Sequence, residues 1–265
     1  MAFLALTFFL AARADVPCVG DAPTHCTDTG LNCSGSSSLP PAQCEAYQQL
    51  YDSTAGHGWN KCNATRNDPC SCHGSSVVTL CQGGDLVSIV LNANNLRGTV
   101  PDAIALLTGL KFLELGNNQH AKTKESSFAL HGTVPASLGK LTNLETLHLG
   151  GSDWLTGPIP TELGNLSRLT GLYLFHNRLH GTIPASLANL AHLKVLYLYN
   201  NRLSGAVPAL GFDRIGEYCG IGDAKGPNDG NRYCKPLPKG ASHCNHDGAI
   251  KTSGTCAPTP APAQA

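Results

Sequence analysis

The amino-acid sequence predicts a solenoid of short stacked strands closed at both ends by disulfide-rich caps. Three observations carry this expectation. A template of about 24 residues recurs five times in the middle of the chain. The 12 cysteines form two groups, eight from Cys18 to Cys81 and four from Cys219 to Cys256, with none between. The composition is rich in turn formers (Gly 29, Pro 17) and only 14% charged, which argues against a helical bundle or a coiled coil. At 265 residues and 42% apolar, the chain is long enough to bury a large core. Lys plus Arg and Asp plus Glu are both 18, so no net field attracts nucleic acid or an anionic membrane.

The template is clearest late in the chain. Leu172, Leu174, Asn177, Leu179, Gly181, Ile183 and Pro184 are followed 24 residues on by Leu196, Leu198, Asn201, Leu203, Gly205, Val207 and Pro208. The same frame holds Ile89, Leu91, Asn94, Leu96, Gly98, Val100 and Pro101. It holds Leu113, Leu115, Asn118, Leu130, Gly132, Val134 and Pro135, and then Leu147, Leu149, Leu155, Gly157, Ile159 and Pro160. Five strands are predicted to start near Leu86, Leu110, Leu144, Leu169 and Leu193. The second copy is about ten residues longer than the first, which places an insert at roughly Gln119 to Phe128.

One copy reads as a strand with two inward leucines, a turn, and an apolar segment running back. A single copy cannot bury its apolar edge, but stacking copies at about 4.8 Å buries a continuous leucine core. The turn asparagines Asn94, Asn118, Asn177 and Asn201 can bond turn backbone that the core would leave unpaired. Ser152 takes that place in the third copy and predicts a local defect. The Gly before each Ile/Val-Pro reads as a bend, and the Pro as the end of hydrogen bonding.

The ends must hide the terminal cores. From Cys44 to Ser53, the residues Ala46, Tyr47, Leu50 and Tyr51 mark one face of a short helix, with Trp59 packed beside it. Eight and four cysteines allow many pairings, so none is assigned. Cys70-Ser-Cys72-His73 and His243-Cys244-Asn-His246-Asp247 bring metal-ligand types together. Structural disulfides are the favoured reading, because zinc sites show two spaced ligand pairs and exported cysteines are oxidised; no metal and no cofactor is expected.

Residues 2–12 are apolar and of signal-peptide length, and Ala12-Arg13-Ala14 suits cleavage before Asp15. The sequons at Asn32, Asn63 and Asn165 agree with export and glycosylation. The tail 257–265 is a polar Pro/Ala stretch, unlike a lipid-anchor signal. A secreted chain without a membrane span is expected, at the cell surface or in the cell wall if not free.

The pattern L-x-L-x-x-N-x-L-x-G-x-[IV]-P resembles the plant-type extracellular leucine-rich repeat. The segment Glu45 to Asn60, followed by Asp68-Pro-Cys-Ser-Cys72, is similar to the N-terminal cap of that class, with Cys72 where the family usually has Trp. The resemblance covers roughly Cys44 to Pro208. It implies an α/β-type, right-handed leucine-rich repeat solenoid of five repeats, with its short parallel strands on the concave face. It also implies protein, peptide or glycan ligands, as in receptor ectodomains, receptor-like proteins and inhibitors of secreted polysaccharide hydrolases such as pectinases. The expected organisation is a signal peptide at 1–14, a Cys-rich extension at 15–43 and an N-terminal cap at 44–85. The solenoid follows at 86–210, a Cys-rich C-terminal cap at 211–257 and the tail at 258–265.

Enzyme signatures are absent: there is no Gly-x-Ser-x-Gly, no His-Glu-x-x-His and no phosphate loop, and Glu114 has no obvious carboxylate partner. No catalytic role is expected. A binding face is expected instead. Residues between and after the inward leucines should point to the concave side, which gathers His148, Tyr173, Phe175, His176, Tyr197 and Tyr199. Arg178 and Arg202 flank them and could hold an acidic group. The rings serve either as a contact surface or as cross-strand packing. His148 and His176 predict binding that changes between about pH 5 and 7. The rival role is structural, as a wall or matrix component or an ice-binding solenoid. For ice, the column Thr99, Thr133 and Thr182 is broken by Pro158 and Ala206.

Overall fold

The computed structural model describes residues 33, 39–73, 77–118, 129–215, 218–222, 230–235, 237–241, 244 and 252–255. The expected signal peptide, Asn32, the insert 119–128, His243, His246, Asp247 and the Pro/Ala tail lie outside the described residues.

Alternating burial along each copy builds one sheet. Its strands are Val78–Gln82, Asp85–Val90, Phe112–Glu114, Thr146–His148, Gly171–Tyr173, Val195–Tyr197 and Cys219–Gly220, in that order. The first two pair antiparallel and every later pair is parallel. Ile89, Leu113, Leu147, Leu172 and Leu196 are Cα partners in register from rung to rung, and all are fully buried. Burying each such side chain stabilises the fold by about 1.5–3 kcal/mol. The five strands expected from the template are thus all present, each two residues after the predicted start where the sheet pairing begins, except the first, which starts at Asp85.

Two further features were not legible. The Gly-x-[IV]-Pro segments were expected only to bend, yet they form parallel strands of their own. His131–Thr133 pairs with Trp154–Thr156, and His180–Gly181, Arg202–Gly205, Arg232–Lys235 and Thr252–Thr255 form a four-stranded sheet. Glycine and proline read as breakers in isolation, whereas the neighbouring copy supplies the pairing groups. The returning segments are 3-10 turns at Asp102–Leu106, Ala136–Lys140, Thr161–Asn165 and Ala185–Asn189, each entered through a proline. They bury Ile104, Leu138, Leu163 and Leu187 under the leucine layer.

The helix at the N-terminal end spans Pro41–Ser53, three residues earlier than expected, because Pro41 is well placed at a first helical position. Ala46, Tyr47, Leu50 and Tyr51 are its buried face, as expected, and Trp59 packs against Tyr51. Gln43 ties the helix to the first rung: its Oε1 accepts the Leu86 amide at 2.9 Å. Disulfides join Cys33 to Cys44, Cys62 to Cys72, Cys70 to Cys81 and Cys219 to Cys244. The cysteines of both candidate metal motifs are therefore oxidised and hold backbone, not ions.

The asparagines form the expected ladder between the two sheets. Asn118 Oδ1 accepts the amides of Asn94 and Leu96, and its Nδ2 donates to the carbonyls of Leu91, Leu115 and Gly116. Asn177 accepts the Leu155 amide and donates to Leu149, Leu174 and Phe175. Asn201 repeats this with Leu179, Leu174, Leu198 and Tyr199. Asn231, outside the template, extends the ladder by accepting the Leu203 amide at 2.9 Å. The defect at Ser152 is real: the residue is fully buried and its Oγ has no hydrogen-bond partner among the described residues. Asn177→Ala, which strands an amide and three carbonyls, should lower unfolding free energy by about 3 kcal/mol in denaturant titration, whereas Ser152→Ala should change it by less than about 0.5 kcal/mol.

Candidate binding face

Because the leucines face inward, the residues between them stand out from the sheet in rows. One row runs Val90, Glu114, His148, Tyr173 and Tyr197, paired Cα to Cα across adjacent strands. Phe175 and Tyr199 stand two residues further along their rungs, and His176 follows Phe175. None of these rings belongs to the leucine core. They touch one another instead. Phe175 stacks on Tyr199 at 5.1 Å between centroids with the planes 12° apart. His148 lies 5.2 Å from Tyr173 and 5.6 Å from Phe175, and Tyr173 meets Tyr197 edge-on at 5.5 Å. All six predicted rings are therefore one contiguous cluster. Tyr199 is the most enclosed, at 8% exposure; the others are half-buried.

Two glycines let the rings lie flat. A Cβ at Gly116 would sit 2.4 Å from His148 Nε2, and one at Gly150 would sit 2.7 Å from the Phe175 ring. Each aromatic leans across the backbone of the preceding rung, where a side chain would collide with it. The enclosure has an electrostatic consequence. Burial disfavours the imidazolium and lowers the His148 pKa from 6.5 to about 4. Its Nε2 is buried without a hydrogen-bond partner among the described residues. His148 is thus neutral across pH 5–7, and the expected pH response in that window does not come from it. Burial, then Tyr197 and Glu114, raise the Tyr173 phenol, which stays a hydrogen-bond donor at neutral pH.

Of the remaining predicted residues, His176 stays at the edge of the cluster and the two arginines leave it. His176 takes a left-handed turn (φ 49°), and Asn200 Nδ2 lies 3.1 Å from its Nε2. The Arg178 guanidinium sits 3.6 Å above the Trp154 ring, at the start of a lateral strand. Arg202 begins the lateral strand Arg202–Gly205 and is exposed there. The two arginines do not act as a pair on the ring-bearing rows. Asn63 and Asn165 are exposed. Sequence reasoning missed Trp154 and an outer row of the same sheet, Leu80, Ser88, Phe112, Thr146, Gly171 and Val195, which pair in register. Leu80, Phe112 and the following Tyr218 are 48%, 37% and 65% exposed. Strand alternation, counted two residues before the aromatic row, could have found them.

Comparison with known proteins fits this architecture. The family model of the Leucine Rich Repeat matches residues 168–190 and 192–211. Among solved structures, the BIR3–SERK2 complex from Arabidopsis thaliana is 27% identical with a TM-score of 0.53, covering 79% of this chain and 100% of that one. The ectodomain of the receptor kinase SOBIR1 from Arabidopsis thaliana is 26% identical with a TM-score of 0.52, over 67% of this chain and 89% of that one. The fold is that of the leucine-rich repeat, and the solved structures it resembles include plant receptor ectodomains. The PEPR1–AtPEP1 structure shares the fold at 23% identity and a TM-score of 0.59; 81% of this chain is covered but only 29% of that longer one. No curated protein matches by sequence.

In this leucine-rich repeat protein, the paired cysteines are those of an extracellular compartment. No helix among the described residues is long and apolar enough to cross a membrane. The buried His148 also makes stability depend on pH. The unfolded chain takes up its proton near pH 6.5 and the folded chain only near 4, so stability present above about 6.5 is lost as pH falls towards 4. The melting temperature should therefore drop less between pH 7 and 4 in His148→Gln than in the parent; equal drops would refute the assignment.

Proposed function

We propose that this protein is a secreted recognition module whose concave aromatic face binds an extracellular protein, peptide or glycan, alone or as a co-receptor. Roles in recognition or defence signalling, or in inhibiting a secreted hydrolase, fit that reading. The observation that carries it is the single contiguous cluster of Tyr173, Phe175, Tyr197 and Tyr199 with His148 and His176, outside the leucine core and open on one side. Tyrosine rings offer large contact area at low entropic cost, with hydroxyls for polar atoms of a ligand. No catalytic step and no cofactor enter this reading. We also infer five copies of about 24 residues wound right-handedly, because parallel crossover connections take that hand.

The likeness to the BIR3–SERK2 complex favours a protein partner. Asn63 and Asn165 are read as glycan acceptors; Asn165 ends the 3-10 turn Thr161–Asn165, away from the concave strands. The ice-binding alternative is weaker. Thr99, Thr133 and Thr182 are exposed in one column, but Pro158 and Ala206 interrupt it, so no continuous hydroxyl array is offered.

The rings differ in what they support, and the test uses this. Tyr173→Ala with Tyr197→Ala should abolish retention of partners from extracellular fluid while shifting the melting temperature by only a few degrees. Tyr199→Ala, which opens the stack on Phe175, should cost about 1–2 kcal/mol of stability. Undiminished retention by the double variant would remove the concave face from the proposal.

A further inference from the structure

We propose that the occupant of the concave face is an extended peptide with one basic side chain set among apolar ones, the base docking on Glu114. The inference rests on the binding function proposed above and names its ligand class.

Three rows stand outward, at the Ser88, Val90 and Asn92 positions of each rung. Among the described residues on them, Glu114 is the only charged side chain, with His148 neutral. Glu114 is half-buried, accepts a 2.6 Å hydrogen bond from Asn92 Nδ2, and has no ion-pair partner among the described residues. Its surroundings are apolar. Phe112, two residues earlier on the same strand, is exposed, as is Leu80 on the edge strand. Towards the other end lie the Tyr173 and Tyr197 rings and then Tyr218. An uncompensated carboxylate beside exposed apolar groups is a strong acceptor for a guanidinium or ammonium, because little water screens the pair.

The same arrangement selects against other ligands. Among the described residues of these rows, an acidic glycan or phosphorylated chain would meet a carboxylate and no cation, since Arg178 lies over Trp154 and Arg202 is on the lateral sheet. A neutral glycan could stack on the tyrosines, but it has nothing to offer Glu114 and no apolar group for Leu80 and Phe112. A peptide satisfies all three. From the rung of Glu114 to that of Tyr218 is four strand spacings, about 19 Å, which about six extended residues would cross. The basic residue would then sit at one end of a run of apolar or aromatic residues.

The test pans a random decapeptide library against the intact protein, its Glu114→Gln variant and the Tyr173→Ala/Tyr197→Ala variant. Gln keeps the acceptor for Asn92 and removes only the charge. Expected is enrichment of peptides with Lys or Arg beside apolar residues. The affinity of a selected peptide should fall at least about tenfold in Glu114→Gln, and replacing its basic residue by Gln should cost the parent protein as much. Raising the salt concentration should weaken the parent more than the variant. Apolar enrichment without a basic preference, or a preference that survives Glu114→Gln, overturns the role of Glu114 while leaving the binding face intact. Selected peptides that still bind the double tyrosine variant lie elsewhere, which overturns the concave face itself. No enriched peptide, or binding of cellohexaose instead, overturns the peptide assignment.

Discussion

The structure depends on one constraint: a chain that turns every rung must satisfy its turn backbone inside an apolar stack. The leucines supply burial, but they cannot accept or donate. The ladder asparagines do both, tying each turn to the rung before it through bonds such as Asn201 Oδ1 to the Leu179 amide. Leucine layer and asparagine ladder share one spacing, so neither can slip without breaking the other. That spacing also decides which residues face outward.

The constraint explains the ends. The first ladder residue, Asn94, has no preceding rung, and the N-terminal segment completes it: Asn94 exchanges hydrogen bonds with the backbone of Lys61. At the other end Asn231 continues the pattern from a segment with no visible repeat, held near Cys219–Cys244. Disulfides cluster where rungs stop supporting one another, and the middle has none. Within the solenoid, the ladder fails at Ser152, just where the copy before it carries the insert.

The ring-bearing face of the sheet is a compromise between packing and display. His148 and Phe175 lean over the backbone of the neighbouring rung at Gly116 and Gly150; burial costs His148 its basicity, and Tyr199 is nearly enclosed where it stacks on Phe175. The two readings open at the level of sequence, contact surface and cross-strand packing, both describe part of the cluster. Tyr173 and Tyr197 keep an open face, while the Phe175–Tyr199 stack carries more of the packing.

The sequence by itself determined the strands, the leucine core, the asparagine ladder with its gap, the capping helix and the ring cluster. All follow from periodicity, which is a local property: spacing along the chain sets direction within a rung. What only the tertiary structure decided involves neighbours from different rungs. The lateral sheet needed pairing groups from the next copy. The disulfide partners needed proximity in space. Arg178 went to Trp154 because that ring stands on the adjacent lateral strand, 24 positions away. That Glu114 has no cationic partner among the described residues emerged only when rows from separate strands lay side by side, since a carboxylate's environment is a matter of distance and not of sequence order.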